Sequence, residues 1–144
     1  MLSDADRLKA HELYARYAYA FDSNAADEWA SLFTDDGEFR LGEDRVIGGR
    51  TALRDFALER NGSAPGVSHH TTNVLVEEVE PDVLAGRAYV LALRVDGAAV
   101  RIRNLGVYAD ELVRAEGGWL YRVRHFTSWL APEAVDGALQ LTPA

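Results

Sequence analysis

Few side chains in this sequence are suited to chemistry, and Asp22 is the first of them. It falls near the C-terminal end of a helix-patterned segment. A carboxylate there opposes the helix dipole rather than complementing it. Two readings are open for Asp22: a cap on the next helix through a backbone N–H, or a site carboxylate. His69 and His70 come next. Neighbours on a strand point to opposite faces, so only one can face a pocket, and the two are poorly placed to share a metal ion. Val67, Thr71 and Asn73 share the phase of His69. A lone histidine on a strand is either a satisfied structural residue or a base. His11 sits among charged residues and is expected in solvent, and His125 is out of phase with Arg124. Arg101, Arg103, Arg122 and Arg124 alternate along two segments. Such a ladder reads as a solvated face paired with acids such as Asp110 and Glu111. Yet Arg124 shares its phase with Phe126 and Ser128, a mixture that suits a pocket wall with one fixed cation. Tyr14, Tyr17 and Tyr108 are either core residues with buried hydroxyls or hydrogen-bond donors lining a cavity.

Composition removes several alternatives. The chain has 144 residues and no cysteine, which excludes disulfides, thiolate nucleophiles and thiolate metal sites. A single lysine, Lys9, leaves one poor candidate for Schiff-base chemistry. A formal charge of −8 repels phosphate backbones, and no basic stripe with interleaved aromatics overrides it. No apolar run approaches the roughly 20 residues of a membrane span. The polar, acidic start Met1–Asp6 shows no secretory pattern, so a cytoplasmic protein is expected. No Gly-rich nucleotide loop, Gly-x-Ser-x-Gly elbow or His-Glu-x-x-His pair is present, so no cofactor and no metal are expected. The expected partner is a small organic molecule, with neither nucleic acid nor membrane. Asn61-Gly62-Ser63 is a formal glycosylation sequon without a secretory context.

The elements that must position these residues are legible as one domain over 1–144, with no repeats or linkers. Ser3, with Asp6 three residues on, reads as a helix N-cap. Ala10, Leu13, Tyr14, Tyr17 and Phe21 then mark one helical face, broken at Asp22-Ser23-Asn24. A second helix carries Trp29, Leu32 and Phe33 and stops at Asp35-Asp36-Gly37. A short strand over Glu38–Leu41 and a turn at Gly48-Gly49 follow. A third helix runs from Thr51 to Asn61-Gly62, burying Leu53, Phe56 and Ala57. After Pro65-Gly66 the pattern turns to strands at Val67–Glu80, Leu84–Val95, Val100–Arg114 and Trp119–Trp129. Turns at Pro81-Asp82, Asp96-Gly97 and Glu116-Gly117-Gly118 join them. The spacing predicts an α+β fold: a cone-shaped, curved, mainly antiparallel sheet with three N-terminal helices enclosing a pocket. Trp119, Tyr121 and Trp129 share one phase of the last strand, opposite to Arg124. They are expected on the outer face, where an apolar patch favours a homodimer or homotrimer.

Three groups of residues in this order and spacing carry a resemblance. They are Leu13-Tyr14 through Phe21-Asp22 to the Leu-Phe-Thr-Asp-Asp-Gly stretch ending at Gly37; His69-x-x-Thr72-Asn73 with Glu77; and Val107–Glu111, Arg114, Gly117, Trp119 and Arg124. The chain resembles the SnoaL-like group of the nuclear transport factor 2-like superfamily, especially lindane dehydrochlorinase and, more distantly, scytalone dehydratase. The resemblance implies an aspartate–histidine dyad of Asp22 and His69, with Arg124 as a pocket cation that stabilises a leaving anion or enolate. Tyr17 departs from the charged or amide residue found in the dehydrochlorinase, and Asn104 makes the wall more polar. Tyr14, Tyr17, Val67, Asn104, Tyr108, Phe126 and Ser128 are then the expected substrate contacts. The implied function is a cofactor-free lyase or isomerase that abstracts a proton with an Asp–His base. A polyketide cyclase and a noncatalytic binding or assembly module remain alternatives.

Overall fold

A computed structural model describes residues 1–63 and 66–130, of which 61–63 by backbone alone. Pro65, and the part of the expected domain beyond Leu130, lie outside the described residues. The order is α1 (Asp4–Asp22), α2 (Ala26–Ser31), β1 (Phe33–Leu41), β2 (Arg45–Gly48), α3 (Arg50–Ser63), β3 (Val67–Glu80), β4 (Val83–Asp96), β5 (Ala99–Ala115) and β6 (Gly118–Ser128). The strands form one curved, unclosed sheet in the order β2-β1-β6-β5-β4-β3. Only the β1–β6 pair is parallel; the other four pairings are antiparallel. The fold is the expected α+β arrangement of helices against a mainly antiparallel curved sheet.

Local chemistry explains the helix ends. The Asp6 backbone N–H donates to Ser3 Oγ at 3.1 Å, and that hydroxyl donates to Asp6 Oδ2 at 2.7 Å. This closes the first turn of α1. The helix buries Ala10, Leu13, Tyr14, Tyr17, Ala18 and Ala20 along one face. Asn24 turns the chain with a φ of 62°, and α2 begins without a side-chain cap. Asp22 therefore does not cap it. The second helix is shorter than its apolar spacing predicts. Phe33 is the first residue of β1 and pairs with Tyr121, whose N–H donates to Leu32 O at 2.9 Å. Parallel pairing with β6 takes over where the helical pattern still holds. The short strand β2 was not expected; it pairs with the second half of β1.

Bulges bend the sheet. Register shifts occur in β1 between Phe33 and Glu38, and in β3 between Thr72 and Leu75, where Asn73 has a φ of 55°. In β5, Arg103 falls between the pairs Ala92–Asn104 and Leu93–Ile102 and has no partner on β4. In β6, Arg122 is passed over between Glu111–Val123 and Leu112–Tyr121. Each extra residue shifts the alternation of its strand by one.

The bulge at Arg122 corrects one expectation. Trp119 and Tyr121 are not on the outer face: they are 4% and 0% exposed, packed in the core. Below the bulge the odd-numbered residues of β6 point inward, and above it the even-numbered ones do. Trp129 alone of the three is exposed, at 54%.

Candidate functional site

Register across the sheet arranges the concave face in tiers. Phe39, Arg124, Asp110 and Gly86 lie side by side across β1, β6, β5 and β4. Leu41, Phe126, Tyr108 and Ala88 form the next row, and Ser128, Gly106, Val90 and Thr71 the one after. The last row is Asn104, Ala92 and His69. In these four rows β4 contributes Gly86, Ala88, Val90 and Ala92, and such small side chains leave room above them. Tyr17 and Phe21 from α1 and Phe56 and Arg60 from α3 close the space. The resulting cavity is about 380 Å³, within the usual range for a small-molecule site.

Asp22 and His69 meet at one end. His69 Nδ1 lies 2.6 Å from Asp22 Oδ1, and the His69 backbone N–H donates to Asp22 Oδ2 at 2.7 Å. A carboxylate has no hydrogen to give, so Nδ1 is the donor, and in the neutral imidazole Nε2 keeps the lone pair. The Phe21 ring stands edge-on to the imidazole, with centroids 5.3 Å apart. The helix thus sends consecutive residues to the same ring: one packs it and the other orients it. His69 lines the cavity, while Asp22 stands behind it. His70 faces the other way and meets Ser68 Oγ at 3.0 Å.

Tyr17 and Tyr108 form the inner wall, with rings 5.9 Å apart. Burial pushes the Tyr108 hydroxyl up to about 12 and that of Tyr17 well above its ordinary value. Both stay protonated and can donate hydrogen bonds. Val67, Asn104, Phe126 and Ser128 also line the cavity.

Two expected contacts do not reach the wall. Arg124 is fully buried, and its Nε and Nη2 donate to Asp110 Oδ1 at 2.9 Å and Oδ2 at 2.8 Å. Its guanidinium carbon lies 3.8–4.8 Å from the ring centres of Tyr108, Tyr121, Tyr17 and Tyr14. Burial works against its charge, but the facing Asp110 carboxylate outweighs that and holds it protonated. The expected role as an open pocket cation is therefore replaced by a neutralised pair in a tyrosine cage. Tyr14 belongs to this cage: it is 1% exposed, and its hydroxyl occupies the space that a Cβ on Gly86 would fill, 2.3 Å away. Strand phase places these residues on the concave face but does not give their depth.

The sequence reading missed Phe21, Phe39, Leu41, Phe56 and Val90 as lining residues, and also Arg60 and Arg103. Phe21 had a signal, since it precedes Asp22 on the apolar edge of α1. Arg103 had none, because its inward direction comes from the bulge. Among the described residues no three His, Asp or Glu side chains converge as a metal ion would require.

The chain matches known proteins over this same architecture. Residues 4–125 fit the model of the SnoaL-like domain. The chain is similar to Rv3472, a protein of unknown function from Mycobacterium tuberculosis, with 29% identity and a TM-score of 0.80 over 92% of this chain and 80% of that one. It is similar to a candidate scytalone dehydratase from Novosphingobium aromaticivorans, with 26% identity and a TM-score of 0.77 over 88% and 85%. An NTF2-like protein with a cystatin-like fold, also from Novosphingobium aromaticivorans, is 22% identical with a TM-score of 0.78 over 92% and 88%. No curated protein matches it. The family match spans α1 through most of β6, the elements that enclose the cavity, and the chain belongs to the SnoaL-like family.

Proposed function

We propose that the cavity is the active site of a cofactor-free lyase or isomerase in which His69 is the general base. The observation that supports this most is the double anchoring of His69 on Asp22, which leaves Nε2 free at a cavity wall. In this reading Nε2 takes a proton from a carbon next to a carbonyl. The electron pair passes into the enolate, and Asp22 stabilises the imidazolium. The protonated hydroxyl of Tyr108, which accepts from that of Tyr17, donates to the developing oxyanion, the task first assigned to Arg124. Collapse of the enolate then expels a β-leaving group, or reprotonation at another carbon moves the double bond. A cyclase shares the first step and differs only in the electrophile that the enolate attacks. The substrate is a small, largely apolar organic molecule, in keeping with the aromatic walls. The similarity to a candidate scytalone dehydratase favours elimination of water.

The test has a part that needs no substrate. Nitrogen-15 NMR of the imidazoles should show neutral His69 as the Nδ1–H tautomer, and Asp22→Asn should release that preference. With a substrate identified by ligand-induced thermal stabilisation, His69→Ala and Asp22→Asn should each cost about 10²–10⁴-fold in turnover. The double variant should be little worse than His69→Ala, because the two residues act as one unit. Normal turnover by Asp22→Asn would remove the dyad and leave Asp22 as a structural anchor for β3.

A further inference from the structure

Consecutive residues of a strand point to opposite faces, yet Arg103 and Asn104 both line the cavity. The register gives the reason. Asn104 sits opposite Ala92, in one row with His69, while Ile102 sits opposite Leu93. Arg103 is the extra residue between them, and the bulge turns it to the same face as Asn104. Its charge has no hydrogen-bond or ion-pair partner among the described residues. Elsewhere in the chain, Arg40 is paired with Glu38, Arg54 with Asp27, Arg114 with Asp6 and Arg124 with Asp110. The cavity lining includes two arginines, Arg60 and Arg103, and no aspartate or glutamate, within a chain of formal charge −8. Asp22, the nearby acid of the dyad, is already engaged by His69.

We propose that Arg103 is the anchor for a carboxylate on the substrate, so that the ligand class is a small, largely apolar carboxylic acid. This rests on the cavity being the ligand site proposed above and adds the end of the ligand that does not react. A guanidinium offers a planar fork of donors that matches a carboxylate. Residues 104 and 108 are four apart on β5, about 13 Å of strand. An acid held at Arg103 therefore points its apolar body along β5 toward Tyr108, past His69 on the opposite side of β4. The bulge makes Arg103 a specificity-determining residue: it selects the ligand and fixes its direction, and takes no proton.

The experiment measures binding rather than turnover, so it stands apart from the fate of the dyad. The probes are 2-naphthoate and its neutral counterpart 2-naphthalenemethanol, titrated calorimetrically at pH 8. The native protein should favour the carboxylate by about tenfold or more. Arg103→Gln should abolish that preference, and Arg103→Lys should keep part of it. Arg60→Gln and His69→Gln should each leave the preference in place. Retention of the preference in Arg103→Gln overturns the proposal. So does the lack of any carboxylate preference in the native protein, whether both probes bind equally or neither binds. A preference that survives His69→Gln but not Arg103→Gln upholds the anchor even if the tautomer experiment removes the base.

Discussion

Arg124 and Asp110 hold opposite charges at the floor of the cavity, both fully buried as side chains. Removing two charges from water costs several kcal/mol each, and mutual attraction returns that only when the geometry is good. Here the geometry is a two-point contact inside four tyrosine rings. Breaking one side should thus be far worse than replacing both. Asp110→Asn is expected to cost about 3–5 kcal/mol, read from the denaturant midpoint. Arg124→Met combined with Asp110→Leu should recover much of that loss. A shift below about 1 kcal/mol for Asp110→Asn would show that the pair contributes little to stability. The acid partner Asp110 was legible in the sequence as a member of the arginine ladder; its burial was not. Asp22 and His69 stood out as candidates, one set against the helix dipole and the other on a strand, but their pairing as a dyad came from the family resemblance and not from either pattern. Arg103 was not, since alternation grouped it with Arg101 on a solvated face, and Arg101 does pair with Asp96 at 3.6 Å.

Strands β3 to β6 could be placed from the sequence to within one residue at each end, since β-branched runs and glycine turns bound them. The register irregularities could not, because they arise from pairing between strands and leave no mark on either strand alone. The border of α2 and β1 failed for a related reason: Leu32 and Phe33 fit a helical face, and only the neighbouring β6 decides otherwise. Glycine makes one of these pairings possible. At Gly106 a Cβ would lie 2.1 Å from the Thr127 carbonyl oxygen, a backbone atom that cannot swing aside. Gly106→Ala should push β6 away from β5 beside Phe126 and Ser128, two residues of the cavity wall. The expected cost is about 1–3 kcal/mol of stability, with weaker binding of any cavity ligand. An alanine variant that melts with the native protein would mean that the two strands have more freedom here than their spacing suggests.

At the scale of the whole molecule, the sheet has an inside and an outside with different textures. The outside of β4 and β5 carries Tyr89, Leu91, Leu105 and Val107 in facing pairs. The Trp129 ring lies 5.4 Å from that of Tyr89, which is 49% exposed. This patch replaces the one expected from Trp119 and Tyr121, and the assembly proposed for it is a second copy of the chain, as a dimer or trimer. Light scattering at micromolar concentration should report more than a monomer, and Tyr89→Glu should reduce it to one. A monomeric native protein would end that proposal. No helix among the described residues is long and apolar enough to cross a membrane.

The bulge at Arg103 also has a meaning along the chain. Relative to β4, strand β5 has one residue more than the ladder needs. Deleting that codon would join Ile102 to Asn104 and leave an unbroken ladder, with Asn104, Gly106 and Tyr108 still facing inward. Deleting any residue between Asn104 and Tyr108 would instead turn every side chain beyond it to the opposite face. The Arg103 charge thus sits on a residue that the β4–β5 ladder does not need. It can be gained or lost as a unit while the framework around it stays in step.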